Sequence, residues 1–439
     1  MTTLTFTIPS VLNHGKGEKK LDLEADNILD AFVKACGIMG DDFKRRVLEA
    51  NGTPRSLINV YINGKNAAFS GGLDAKLSSG DDIYILPAVA GGSDLSKSDL
   101  DRYSRQVMLE EIGYEGQLTL GKSRVCVVGV GGLGHPIITR LVSMGVGTVR
   151  IVDRDIVELS NLHRQTLFDE SDVGKVKVEA TASKLQAMNS SVNLEVLPVS
   201  VNDGTAFEVI QGCDVVIDAL DSVNARYSLN KACVQLGIPF VTGAAVGVSG
   251  QAFTILPKKS ACYFCLFPSL DESSMPTCSL EGVHPPILSI VGAVEVAECV
   301  KILLGQKPSL SDRILHIDLN NLDFTFTKTI PVSECPVCGN GKSLQKKSSD
   351  EFILEELCGR NGGKRTFSIT PQKMFDLDSD SIIARAKNLG FTTENLGDLG
   401  LSLRNNSVSV NFLKRGSAVT VGSESESDAI LLYKKLLDK

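Results

Sequence analysis

An apolar run, Val125-Cys-Val-Val128, ends in Gly129-Val-Gly-Gly-Leu-Gly134 and passes into a helix-like stretch, Pro136 to Met144. No other feature constrains the fold as much. A strand, a glycine turn and a helix in succession aim backbone N–H groups and a helix N-terminus at one spot, where a phosphate is held. Strand-like runs at Arg124 to Val130, Thr148 to Asp153, Val215 to Ala219 and Phe240 to Thr242 alternate with helical stretches. This predicts a Rossmann-like, doubly wound parallel α/β sheet with a ligand crevice at the carboxyl ends of its strands. Gly129, Gly131, Gly132 and Gly134 would line that crevice, and Asp153 lies at the spacing where an acid reaches a ribose hydroxyl. Such a loop serves an NAD-dependent dehydrogenase as well as an ATP enzyme.

The following polar residues favour ATP. In Asp153-Arg-Asp155-Ile-Val-Glu-Leu-Ser160-Asn161-Leu-His-Arg164-Gln165 and Gly174-Lys-Val-Lys177, the amide of Asn161 and the cations Arg164 and Lys177 follow the ribose acid. A triphosphate with its metal needs that neutralisation, whereas a dinucleotide pyrophosphate manages largely with backbone donors. Asp221, in Ile217-Asp-Ala-Leu-Asp221-Ser222, falls where a later strand delivers a carboxylate, as a magnesium ligand or as a helix cap. Retention of the charged set argues against a nucleotide-binding scaffold without catalysis.

Two Cys-x-x-Cys pairs, Cys262/Cys265 and Cys335/Cys338, suit a structural tetrahedral zinc, each pair biting the ion from a tight knuckle. Redox or disulfide pairs would need an oxidising compartment, which nothing else supports. The N-terminus has no basic region followed by an apolar one, and no apolar run approaches membrane-spanning length, so a cytoplasmic protein is expected. A net charge of -7 argues against a broad nucleic-acid or anionic-membrane footprint. Of the 11 cysteines, Cys126, Cys213, Cys233 and Cys299 fall on apolar patterns and are read as core.

With 439 residues, several domains are expected. Boundaries fall near residues 93 and 345, giving segments 1–92, 93–345 and 346–439. The first combines an alternating strand at Leu4 to Ile8, a helical stretch around Ile28 to Cys36, and strands Ile58 to Ile62 and Asp82 to Pro87. That is a small β-grasp-like sheet on a helix, ending in Pro87-Ala-Val-Ala-Gly91-Gly92. The last segment, with helical patterns at Ser379 to Asn388 and Glu426 to Leu437 and strands at Ser407 to Phe412 and Ala418 to Val421, predicts a small α+β domain.

From Arg102-Tyr-Ser-Arg-Gln106 to Cys335-Pro-Val-Cys338 the chain resembles the MoeB/ThiF family, relatives of the ubiquitin-activating enzymes. Residues 1–92 separately resemble MoaD/ThiS-type ubiquitin-like sulfur carriers, with Gly91-Gly92 as the carrier tail. The resemblance implies ATP-dependent adenylation of a carrier's C-terminal glycine. By motif position, Asp153 would hold the ribose, Asn161, Arg164 and Lys177 the phosphates, and Asp221 the magnesium. Arg105 matches a residue that reaches into a partner subunit's ATP site, which implies a homodimer. Cys278 matches a cysteine that some members use for a thioester, persulfide or acyl-disulfide step; its other reading is an idle loop thiol. Two residues depart from the pattern: Ser222 follows Asp221 where Asn is usual, and His135, read as a packed or capping histidine, replaces a small residue. Gly282-Val-His284-Pro-Pro286 also departs from the usual continuation.

Adenylation needs a free carboxylate, yet Gly92 is in peptide linkage to Ser93. A protease cutting after Gly92 would release the carrier; otherwise the fused domain is a tethered module and the enzyme acts on carriers in trans. A sulfur donor is implied as a further partner, with molybdenum cofactor biosynthesis, thiamine synthesis, tRNA thiolation or protein conjugation downstream. Cys358, before a glycine-rich turn, is more readily a packed or idle thiol than a reactive one.

Overall fold

In the computed structural model, residues 1, 10–11, 14–16, 56–57, 88–94, 271–280, 342–350, 357–364, 398 and 439 fall outside the described part of the chain. The rest divides into two units, Met1–Lys122 and Ser123–Lys439. The N-terminal unit holds β1 (Thr2–Ile8), β2 (Lys19–Ala25), α1 (Ile28–Met39), α2 (Asp41–Val47), β3 (Ile58–Ile62), β4 (Lys65–Asn66), β5 (Asp82–Pro87), α3 (Lys97–Val107) and α4 (Gly113–Lys122). Its sheet runs β2-β1-β5-β3-β4, with β1 parallel to β5 and the other neighbours antiparallel. Alternation decides the faces, because successive strand residues point opposite ways. Leu4, Phe6 and Ile8 of β1 join Leu21, Leu23 and Ala25 of β2 against Ile28, Ala31, Phe32 and Ala35 of α1. Asn27 starts α1 by accepting the Asp30 N–H at 2.9 Å, satisfying a donor the helix leaves unpaired. On a second cluster, Tyr61, Tyr84 and Leu86 pack with Leu95, Leu100, Tyr103, Val107 and Tyr114.

The second unit begins with β6 (Arg124–Val128), α5 (Gly134–Ser143), β7 (Thr148–Val152), α6 (Lys177–Met188), β8 (Asn193–Leu197), α7 (Ala206–Ile210), β9 (Val215–Asp218), α8 (Val223–Leu236) and β10 (Phe240–Val246). The strands pair in parallel as β10-β9-β6-β7-β8. The chain winds outward from β6 through β7 to β8, returns to β9 beside β6, and continues to β10. The order therefore reverses between β6 and β9, and a crevice opens there beyond the strand ends. Three antiparallel strands, β11 (Ser249–Ile255), β12 (Arg313–Asp318) and β13 (Asp323–Lys328), extend the sheet past β10 to eight. The four strands expected to be parallel are so; past β10 the hairpin from Val246 to Ser249, with Gly247 at φ +57°, reverses the chain direction. Between them lie α9 (Tyr263–Leu266) and α10 (Pro285–Leu303), the latter opening with two prolines at the first turn.

A six-stranded antiparallel sheet completes this unit: β14 (Phe352–Glu356), β15 (Thr366–Pro371), α11 (Ser379–Asn388), β16 (Thr392–Asn395), β17 (Gly400–Arg404), β18 (Ser409–Leu413), β19 (Ala418–Val421) and α12 (Glu426–Leu437), in the order β14-β15-β19-β18-β17-β16. Ile382 and Ala386 of α11 and Ala429, Tyr433 and Leu436 of α12 cover its core. β18 starts at Ser409 rather than the expected Ser407, because the Asn405 side chain accepts the Ser407 and Val408 N–H groups and holds them in a turn. Among the described residues no helix is long and apolar enough to cross a membrane.

Candidate functional site

The glycine loop between β6 and α5 is shaped by close approach. Gly129 has φ +104°, and a Cβ there would meet the Ala219 carbonyl oxygen at 2.4 Å. A Cβ on Gly134 would lie 2.1 Å from the Gly129 carbonyl oxygen. Nothing stands within 4 Å of the corresponding position on Gly131, so the loop presents backbone and open space on that side. The aliphatic stem of Arg164 crosses Gly132, with Cγ 3.2 Å from where a Cβ would be.

Beyond β7, the Asp153 carboxylate accepts the Val130 N–H at 2.6 Å and the Asp155 N–H at 2.7 Å. It therefore joins the loop to the segment that follows. Burial pushes its carboxyl above the usual range, against the pull of Lys177 and the two N–H groups. Lys177 opens α6 and places Nζ 3.0 Å from Asp155 Oδ2, both side chains largely buried. The backbone fixes this pairing: the Lys177 N–H donates to the Asp155 carbonyl at 2.9 Å and the Val157 N–H to the Lys175 carbonyl at 2.8 Å. Asn161 ends a single helical turn, Leu159–Asn161, and its Oδ1 accepts the Glu158 N–H at 3.2 Å. Arg164 Nη1 donates to the Ser160 carbonyl at 2.9 Å.

Asp221 is exposed just past β9. The helix-cap role falls instead to Ser222, whose hydroxyl accepts the Ala225 N–H at 3.5 Å to start α8. Asp218 beneath is buried, accepting the Thr242 hydroxyl at 2.6 Å and forming an ion pair with Arg226 at 3.1 Å. His135 packs behind the loop: its Nδ1 accepts the Leu167 N–H at 3.1 Å and its ring meets Phe168 edge-on at 4.5 Å. Burial, with Lys177 and Arg164 adding, lowers its pKa to about 3, so it is neutral, a packed histidine as expected. The parallel strands thus bring Gly129, Gly131, Gly132, Gly134, Asp153, Asn161, Arg164, Lys177 and Asp221 to one end of the sheet. Arg105 belongs to the N-terminal unit, where Nη1 donates to the Asn63 carbonyl at 3.2 Å. Gly91, Gly92, Cys278 and Cys358 lie outside the described residues.

The cysteine pairs form a second candidate site. Sγ atoms of Cys262, Cys265, Cys335 and Cys338 lie within 4.8 Å of one another. The separations are 3.8 Å for Cys262 to Cys265, 3.7 Å for Cys262 to Cys335 and 3.3 Å for Cys265 to Cys338. Bonds of about 2.3 Å to a tetrahedral ion imply edges of about 3.8 Å, so the set fits a thiolate-bound metal. Each knuckle is a tight turn: the Cys265 N–H donates to the Cys262 carbonyl at 3.0 Å, and the Gly339 N–H to that of Cys335 at 3.0 Å.

Two polar residues at the crevice escaped the sequence reading, Arg154 and Glu355. Arg154 stands between Asp153 and Asp155, but its partner is 201 positions away, beyond any local pattern.

The ThiF family profile matches residues 103–337, and the ThiS family profile matches residues 12–92. SAMP-activating enzyme E1 of Haloferax volcanii is 42% identical over 56% of this chain and 92% of its own length. Sulfur carrier protein adenylyltransferase of Thermus thermophilus is 38% identical over 60% of this chain and 98% of its own. Adenylyltransferase and sulfurtransferase MOCS3 of Aedes aegypti is 40% identical over 57% of this chain and 58% of its own, so the match spans little more than half of that relative. Among solved structures, Escherichia coli MccB with MccA-N7isoASN has a TM-score of 0.50 at 24% identity, covering 54% of this chain and 75% of that one. At that identity the likeness concerns fold alone.

Proposed function

Because the chain belongs to the ThiF family, with the match over residues 103–337 taking in more than half of it, we propose that it adenylates the C-terminal glycine of a ubiquitin-like sulfur carrier. The carrier in this reading is its own residues 1–92, cut from an adenylating segment at 93–345. The glycine carboxylate attacks the α-phosphorus of ATP and a P–O bond forms. The bond to the β-phosphate breaks with its electron pair on the departing pyrophosphate, leaving an acyl-adenylate. Asp153 receives the ribose, and Asn161, Arg164 and Lys177 receive the phosphates; one anion attacks another only once such groups have neutralised the charge. Asp221 is the residue to hold magnesium, which supplies further neutralisation of the phosphates when bound. The observation that carries the reading is the buried Lys177–Asp155 pair set beside the glycine loop at the point where strand order reverses.

In the homodimer this reading includes, Arg105 serves the partner's site, and Cys278 is the candidate for a later covalent step with a sulfur donor. The four cysteines hold zinc as a structural ion: four thiolates leave no open position for catalysis. The relatives named above as sulfur carrier protein adenylyltransferase and SAMP-activating enzyme support the activity class, and the ThiS match ending at Gly92 supports a fused carrier.

A second reading, a tethered domain that is never released, draws on the cluster in which Tyr61, Tyr84 and Leu86 are covered by Leu100, Tyr103 and Val107 of α3. ATP–pyrophosphate exchange by the intact chain, compared with residues 1–92 and 93–439 co-expressed as two chains, decides between them. Exchange by the two-chain form alone supports a released carrier. Exchange by the intact chain only when a separate carrier is added supports the tether. A folded two-chain form that binds ATP without exchanging it overturns the adenylation reading.

A further inference from the structure

The C-terminal sheet, to which the sequence assigns no role, touches the crevice at both ends of the Asp155–Lys177 pair. On one side, Glu355 of β14 forms an ion pair with Arg154, the residue before Asp155. The same guanidinium nitrogen donates to Ser200 Oγ at 2.8 Å and to Ser368 Oγ of β15 at 3.3 Å. On the other side, the connection between β16 and β17 rests on the start of α6. A Cβ on Gly397 would meet the Glu179 carboxylate at 2.2 Å, and one on Gly400 would meet Val176 Cγ2 at 2.7 Å. Val176 and Glu179 flank Lys177. Further along, Arg415 pairs with Glu208 at 2.8 Å.

We propose that this domain is a clamp on the nucleotide site, with Glu355 a positioning residue that acts through Arg154 to set the Asp155–Lys177 geometry and so the affinity for ATP. The proposal rests on the reading of the crevice as an ATP site. Burial works against the charge of Arg154, but the carboxylates of Glu355, Asp155 and Asp221 outweigh it. Without Glu355 the guanidinium is left mostly buried beside two acids that already have work to do. It then competes with Lys177 for Asp155 and opposes the charge of Asp221, the residue assigned to magnesium. A buried charge that loses its partner disturbs its surroundings more than the pair contributed when intact. The two contact areas matter together, since one holds the residue before Asp155 and the other the turn that starts at Lys177.

The test compares wild type, Glu355→Gln, the double variant Arg154→Gln/Glu355→Gln and Arg415→Ala in the full chain. ATP–pyrophosphate exchange, run with added residues 1–92 that end in a free Gly92 carboxylate, gives KM and kcat, and amide hydrogen exchange without nucleotide reports on residues 153–161 and 175–180. We expect Glu355→Gln to raise the KM for ATP by about tenfold with kcat within about twofold. It should also speed amide exchange in both segments. The double variant, which leaves no stranded charge, should recover most of the KM. Arg415→Ala, on the same interface away from the loop, should match wild type in both readouts. An unchanged KM and unchanged amide exchange in Glu355→Gln, or an equal effect from Arg415→Ala, overturns the proposal. A wild-type chain that binds ATP but catalyses no exchange even with that added carrier defeats the adenylation reading instead, and the amide measurement then still decides whether the clamp exists.

Discussion

The cysteine knuckle and the glycine-loop crevice lie in the same unit and are built on opposite principles. In the knuckle, four soft donors of one kind converge within 4.8 Å, and Cys262 and Cys335 join the core around Phe240, Phe253 and Tyr263. In the crevice, unlike groups are each pinned by a local partner: Asp153 by two N–H groups, Lys177 by Asp155, Arg164 by the Ser160 carbonyl. Beside Gly131 the loop itself leaves open space. A closed shell commits its donors to one ion and returns stability; a pinned, open cluster returns a preorganised surface for a ligand that comes and goes.

The largest expected effect would break the comparison if it fell in the wrong place. Cys262→Ser should lose the bound metal and more than about 4 kcal/mol of stability, measured by metal content and urea denaturation. The fraction that stays folded should bind ATP as wild type does. If a folded, metal-loaded Cys262→Ser protein bound ATP but failed to exchange it, the knuckle would have a part in the chemistry and the contrast would fail.

Lys177→Met should do the reverse. Exchange should drop by about two orders of magnitude, equivalent to about 3 kcal/mol of transition-state stabilisation. The melting temperature should fall much less than in Cys262→Ser. Some loss is expected, because Asp155 would be left without its ion-pair partner in a largely buried place. Adding Asp155→Asn should restore the melting temperature and leave exchange low. Recovery of both together would mean that the pair only braces the fold.

How much of this was legible in the sequence follows the same divide. The crevice was readable because its residues come in short runs around single turns, and the alternation of strands and helices says where those turns gather. The knuckle was readable because two spacings of two residues are local facts. The antiparallel extension β11 to β13 was not: β13 alternates Phe324 and Phe326 with polar residues, but over only six positions that are exposed along the whole length, so the alternation marks no buried face. β14 to β17 also went unread, and length alone does not account for it, since β18 and β19 are as short; β16, Thr392–Asn395, carries no apolar residue from which a strand period could be read. Glu355 at the crevice depends on a pairing 201 residues apart, which one sequence cannot encode in any spacing.

The smallest effect sharpens the comparison, because it asks whether the crevice contributes to stability at all. His135 sits behind the glycine loop with Lys177 and Arg164 acting on it, and in the folded chain its pKa is lowered to about 3 from 6.5. Between those values the unfolded chain binds a proton that the folded chain does not, so stability is complete above pH 6.5 and is lost as the pH falls toward 3. The slope approaches about 1.4 kcal/mol per pH unit once the unfolded histidine is protonated. Asp153, with its raised pKa, acts in the opposite sense, so the comparison must be made between proteins that share it. His135→Gln keeps an acceptor for the Leu167 N–H and removes the titration. In urea denaturation from pH 7 to pH 5, wild type should lose stability faster than His135→Gln by that slope. Equal slopes would mean that the ring takes up its proton in the folded chain. The wall behind the loop would then be open to water, and the crevice would carry no stability of its own.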